Sequence, residues 1–164
     1  MAIWYEVEHT EEGIRNFLEC NWEFHDFTIG GFSYDMENKT AELFMRYDEN
    51  EGSVLLRFLD VEDLRVEVKV FSGYPENWIM GSVLLLLDNG QFLWIDADET
   101  EKPDEAVIAE LKTCCDWVQA GRIVWAVTDA EGNPTEMPPD KIDQVGHVYG
   151  KVVHSHYDLT PYKG

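Results

Sequence analysis

Apolar positions recur with a period of two along most of this chain and switch to helical spacing in two places. Residues 2–8, AIWYEVE, alternate with Ile3, Tyr5 and Val7 on one side, which predicts a first strand. Thr10 then stands where an N-cap belongs, Glu11 and Glu12 complement the positive end of a helix dipole, and Ile14, Phe17 and Leu18 form an apolar stripe. That pattern predicts a short helix over 11–20. In the stretch NWEFHDFTIGGFSYD the phase of alternation slips. Phe27 and Ile29 fall on odd positions, whereas Phe32, Tyr34 and Met36 fall on even ones. A single core face for all five requires one extra residue between them, and Gly30 and Gly31 stand where a bulge would be tolerated.

After a turn at Glu37, Asn38 and Lys39, the segment TAELFMRYD places Ala41, Leu43, Met45 and Tyr47 opposite Glu42, Phe44 and Arg46. SVLLRFLDV and LRVEVKVF predict two further strands, the second with Leu64, Val66, Val68 and Val70 inward. Asn89 and Gly90 between apolar runs predict a hairpin closed by a primed two-residue turn, with Val83 to Leu87, apolar on both faces, as a central strand. The count reaches about seven strands before residue 97. Helical spacing returns near 104–120: Pro103, Asp104 and Glu105 mark a start, Val107, Ile108, Leu111, Cys115 and Val118 a stripe, and Gly121 an exit. The β-branched and aromatic content of TCCDWVQAGRIVWAVTD offers strands as the alternative for its second half. RIVWAVTD predicts a strand, DAEGNPTEMPPDK a loop, and the last twenty residues one more short strand.

No internal repeat and no Pro/Gly/Ser linker divides the chain, so its 164 residues are expected to form a single domain. The expected class is α+β and mainly β: a curved antiparallel meander, open sheet or half-barrel, with an N-terminal helix and a second helix near 104–120.

Charge narrows the partners. Twelve Lys and Arg against 33 Asp and Glu leave a formal charge of −21, which repels phosphate backbones and anionic lipid surfaces and attracts basic proteins and divalent cations. Neither nucleic acid nor a membrane is an expected partner; a basic protein is. Acidic groups at hairpin ends, Asp48, Glu49 and Glu51 with Asp96, Asp98 and Glu99, are the expected docking residues, with Tyr74, Trp78 or Trp117 as aromatic anchors. Cys20, Cys114 and Cys115 are odd in number, and adjacent cysteines are poorly placed to bond each other, which fits a reducing cytoplasm. The amino-terminal residues lack a basic region followed by an apolar stretch, and no segment reaches the roughly 18 apolar residues of a membrane span.

Three groups of residues carry candidate chemistry. His25 and Asp26 are adjacent, so on a strand they face opposite ways and do not act together on one substrate atom. In the run HSHYD, His154, His156 and Asp158 share a face if the chain is extended, a spacing suited to a divalent transition metal as cofactor, with His147 and His25 as the residues able to complete a set. That is the alternative function, a metal-binding protein or metal-dependent enzyme. DAEGNPTE has the flavour of a calcium loop without the alternating ligands or the closing glutamate. Nucleophile elbow, P-loop, HExxH and paired CxxC motifs are all missing, which leaves no catalytic residue to name.

The order of an opening strand, a short helix and then NWEFHDFTIGG leading into a meander resembles small single-domain bacterial proteins in which an aromatic-His-Asp element opens a hairpin, some of them immunity-type proteins of contact-dependent toxin systems. The resemblance rests on Phe24, His25 and Asp26; Phe27 follows where such proteins carry a small residue. It implies a non-enzymatic cytoplasmic inhibitor that covers a basic toxin.

Overall fold

Two long strands carry the architecture in a computed structural model that describes residues 1–24, 27–47, 53–67, 78–79, 81–99, 101–136, 143–148, 151–156 and 159–164. Strand β4 (Ser53–Arg65) and strand β8 (Trp117–Thr128) pair antiparallel over nearly their whole length, from Ser53 opposite Thr128 to Arg65 opposite Trp117. Around them stand β1 (Tyr5–Glu6), β2 (Phe27–Asp35), β3 (Thr40–Arg46), β5 (Trp78–Ile79), β6 (Val83–Leu86), β7 (Phe92–Ile95) and β11 (Thr160–Pro161). The sheet order is β11-β1-β8-β4-β3-β2-β5, and the β6-β7 hairpin joins β8 beside β1. The sheet is antiparallel and does not close into a barrel. Strands β9 (Asp143–Val148) and β10 (Lys151–His156) form a separate two-stranded sheet.

Helix α1 (Glu11–Cys20) forms where its cap and stripe place it. Thr10 Oγ1 accepts the Gly13 N–H at 2.9 Å, and Ile14 and Phe17 bury their side chains against the sheet, Phe17 with its ring 5.5 Å from Trp125. The 3-10 turn Trp22–Phe24 continues it with Glu23 and Phe24 both at positive φ (55° and 56°). A bulky residue rarely adopts that conformation, and the fully buried Phe24, packed on Phe17 and Phe27, holds the turn in place. The slip of phase is a bulge: the register of β2 against β3 shifts between Ile29 and Gly31. A Cβ on Gly30 would stand 2.5 Å from the Phe44 ring, so the bulge also requires a residue without one. The single core face is realised only in part, because Tyr34 and Met36 run past the core and remain exposed.

Four expectations are corrected. SVLLRFLDV and the start of LRVEVKVF are one strand, β4, bent by a bulge between Val61 and Asp63 next to Asp60 at φ 54°; residues 68–71 lie outside the described set. The second helix, α2, spans Glu105–Cys114 and stops there, and Trp117 begins β8. Its cap is Asp104, accepting the Val107 N–H at 2.9 Å, so Pro103 precedes the helix, and Gly121 lies inside the strand instead of at a helix exit. The Asn89-Gly90 hairpin closes by a wider loop, with Leu87 N–H donating to Gln91 O and Gly90 N–H to Leu87 O; only Gly90 has positive φ, which excludes a primed turn with both central residues there. Finally, β6 is no central strand: among the described strands it pairs with β7 alone. Its two-sided burial comes from elsewhere. Leu84 joins the main core with Phe92 and Trp94, while Val83 and Leu85 join a second cluster with Ile108, Leu111 and Cys115 of the α2 region.

Candidate functional site

The side of β6 away from β7, which no described strand covers, opens on a cleft of about 250 Å³. Its floor is Leu18, Val83, Leu84 and Leu85, and its rim is acidic: Glu11 from the first turn of α1, Glu23 from the 3-10 turn, and Asp98, Glu99 and Glu101 from the chain between β7 and α2. Among the described residues Lys102 is the only cation lining it, and its Nζ lies 3.3 Å from Glu11 Oε1. Five rim carboxylates against one committed ammonium leave the cleft strongly negative. The backbone of β6 contributes too. Antiparallel pairs alternate between residues that exchange both hydrogen bonds and residues that exchange none. With Leu87 N–H bonded to Gln91 O, that alternation turns the N–H and C=O of Leu84 and Leu86 away from β7. Trp94 Nε1 donates to Ser82 Oγ at 3.0 Å and fixes the start of the strand.

A wider concavity of about 520 Å³ lies at the far end of β2 and β3. There Arg57 pairs with Glu42 at 3.3 Å, and Asp35 accepts hydrogen bonds from Asn38 Nδ2 and from the Asn38 and Glu37 N–H groups, which hold its carboxyl below the usual range. Its charges are spent within the protein. The Asp129 loop behaves alike: Oδ1 accepts from the Glu131 and Asn133 N–H groups and Oδ2 from Asn133 Nδ2, an arrangement that fixes a turn with N–H donors where a calcium loop would present free oxygens.

A third cluster sits where β7, α2 and β8 meet. Asp96 N–H donates to Asp116 O at 2.9 Å, and Asp116 Oδ1 accepts the Glu67 N–H at 3.0 Å. Burial and the Asp116 charge push the Asp96 carboxyl up to about 7. Cys114 and Cys115 form no disulfide but share a hydrogen bond between sulfurs 3.6 Å apart, and burial with that hydrogen bond pushes the Cys115 thiol up to about 11. A thiol held protonated at neutral pH is a poor nucleophile, so Cys115 is not an activated partner for the titrating carboxyl.

Of the docking residues read from the sequence, Asp98 and Glu99 line the cleft, Asp96 is half-buried in the third cluster, and Asp48, Glu49 and Glu51 lie outside the described residues. Trp117 is buried with Lys112 over its ring and cannot serve as an exposed anchor; Tyr74 and the Trp78 side chain lie outside the described set. Gly30 and Gly31 form the bulge and Phe24 is core, while His25, Asp26 and Asp158 are outside the described residues. For His154 and His156 the strand is described but the side chains are not. Among the described residues, no group of three or more His, Cys, Asp and Glu stands ready to hold a metal ion. The contributions of Glu11 and Glu23 were not foreseen, since only the packing of α1 beside β6 brings them to Asp98. Among the described residues no helix is long and apolar enough to cross a membrane. Comparison of the chain with protein-family models, curated proteins and solved structures finds no match.

Proposed function

We propose that this protein is a non-enzymatic binding domain that receives a basic, extended segment of a partner protein in its acidic cleft, in the manner of a bacterial immunity-like inhibitor covering a basic toxin. The observation that carries this reading is the cleft itself: carboxylates from two separate parts of the chain surround an apolar floor and a strand edge with outward-turned backbone groups. A segment laid along β6 would gain main-chain hydrogen bonds, place alternate apolar residues on Leu84 and its neighbours, and set Lys or Arg against Glu23, Asp98 and Glu99. The rim field would raise the encounter rate with such a partner and disfavour acidic competitors. Three free cysteines accord with a reducing cytoplasm as the place of action. The inhibitor version rests further on the aromatic-His-Asp resemblance.

The test is fluorescence anisotropy with a labelled peptide alternating Lys or Arg with Val or Leu. Binding should weaken steeply between low and high salt, and Asp98→Lys with Glu99→Lys should reduce affinity by roughly tenfold or more, about 1.4 kcal/mol. Equal affinity in the double variant, or binding indifferent to salt, would contradict the reading.

A further inference from the structure

Cys114 and Cys115 stand where helix gives way to strand. Cys114 is the last residue of α2, and Cys115, with φ −113° and ψ 160°, already runs extended. Three hydrogen bonds fix the chain around them: Cys115 N–H donates to Leu111 O at 2.8 Å, Arg65 Nη1 to Cys115 O at 3.0 Å, and Trp117 Nε1 to Lys112 O at 3.0 Å. The change of direction brings the two sulfurs to 3.6 Å, with Cys114 exposed and Cys115 half-buried.

That separation is long for a bond and right for a one-atom bridge. A disulfide needs its sulfurs at about 2.05 Å and its Cα atoms at about 4.4–6.8 Å, whereas neighbouring residues hold their Cα atoms about 3.8 Å apart. Two sulfurs bound at about 2.3 Å to one tetrahedral centre stand about 3.8 Å from each other. A single thiophilic atom therefore joins this pair with little movement. The donors limit what that atom is. Among the described residues no group of three or more His, Cys, Asp and Glu is placed to hold a metal ion, so the described donors are two sulfurs alone. The nearby cations are engaged, Arg65 with Glu67 as well as Cys115 O, and Lys112 over the Trp117 ring.

We propose that Cys114 and Cys115 form a dithiol site that chelates a monosubstituted trivalent arsenical. The step is a condensation. R–As(OH)₂ exchanges both hydroxyls for the two sulfurs: two As–O and two S–H bonds break, two As–S and two O–H bonds form, and two waters leave. Arsenic stays trivalent, and nothing is oxidised or reduced. Its third position is filled by its own carbon, so two soft protein donors suffice. The product is neutral and carries no free thiolate. That suits a place where burial, the hydrogen bond from Cys114 and the charges of Cys114, Asp96 and Asp116 push the Cys115 thiol up to about 11. This site is separate from the acidic cleft and stands or falls independently of it.

The test adds phenylarsine oxide to the reduced full chain and follows the adduct by intact mass spectrometry. One phenylarsenic per chain is expected, consuming two of the three thiols, resisting excess glutathione and released by a small dithiol. Cys114→Ser and Cys115→Ser should each abolish the glutathione-resistant adduct, and Cys20→Ala should leave it unchanged. A synthetic peptide of residues 110–118 carries the same two cysteines without the fold. Half release from the protein should require at least about tenfold more dithiol than from the peptide, because folding has already set the sulfurs at bridging distance. That comparison uses no substituted protein, so it decides even where a variant fails to fold. No glutathione-resistant adduct, an adduct that survives either serine substitution or is lost in a folded Cys20→Ala, or equal release from peptide and protein would overturn the proposal.

Discussion

Single residues were legible where their role is local. Thr10 caps α1 because a hydroxyl at that position reaches an amide three residues on, and nothing distant is needed. Asp96 is the opposite case. In the sequence it is one of many acids near a hairpin end; in the structure it lies against Asp116, a neighbour supplied by the start of β8. Its titration gives a prediction. The folded protein holds this carboxyl protonated up to about pH 7, against 3.8 for an ordinary aspartate. The folded state therefore binds more protons than the unfolded state in that window, and the contribution of Asp96 to stability, present below about pH 4, is lost as pH rises through 7. Asp96→Asn should remove this slope and stabilise the protein at pH 8 by on the order of 2 kcal/mol. Thermal melts of both forms between pH 5 and 8 measure it; parallel profiles would show that Asp96 does not carry the effect.

At the scale of elements, α1 and the β2 bulge were readable because a helical stripe and a slip of parity are written in consecutive residues. The true extent of β8 was not. Val107, Ile108, Leu111, Cys115 and Val118 sustain helical spacing across the boundary, and a strand covered on both faces has no alternation to announce it. The position of β6 was hidden for a related reason: continuous apolar residues report two covered faces without telling whether strands or helices cover them. Packing also reverses a local rule within α1. Replacing a helical glycine by alanine ordinarily gains about 1 kcal/mol. At Gly13, however, a Cβ would stand 2.6 Å from the Glu8 carbonyl oxygen, which is backbone and has little room to yield. Gly13→Ala should therefore destabilise the protein, by about 1–3 kcal/mol. Urea unfolding gives the sign directly, and a raised midpoint at unchanged slope would refute the close approach.

At the scale of the whole molecule, composition announced an acidic protein but not where its charge is free to act. Of the acids outside the cleft, Asp35 and Asp129 are engaged by their own turns and Glu42 by Arg57. Of the described acids at the rim of the cleft, Glu11 pairs with Lys102, whereas Glu23, Asp98 and Glu99 make no ion pair with a described residue. Glu11 and Glu23 come from one end of the chain and Asp98 and Glu99 from the middle, so no window of sequence contains the site, and only the docking of α1 beside the β6 edge assembles it. Steering by the total charge brings basic partners to the surface, and the cleft selects among them by adding an apolar floor and a strand edge. The most direct measurement is a ¹H–¹⁵N chemical-shift map of the protein titrated with the alternating basic and apolar peptide. Saturable shifts concentrated at Gly81–Leu85 and Ala97–Glu99 are expected; shifts centred on Ser33–Glu42 instead, or none at all, would contradict binding in the cleft.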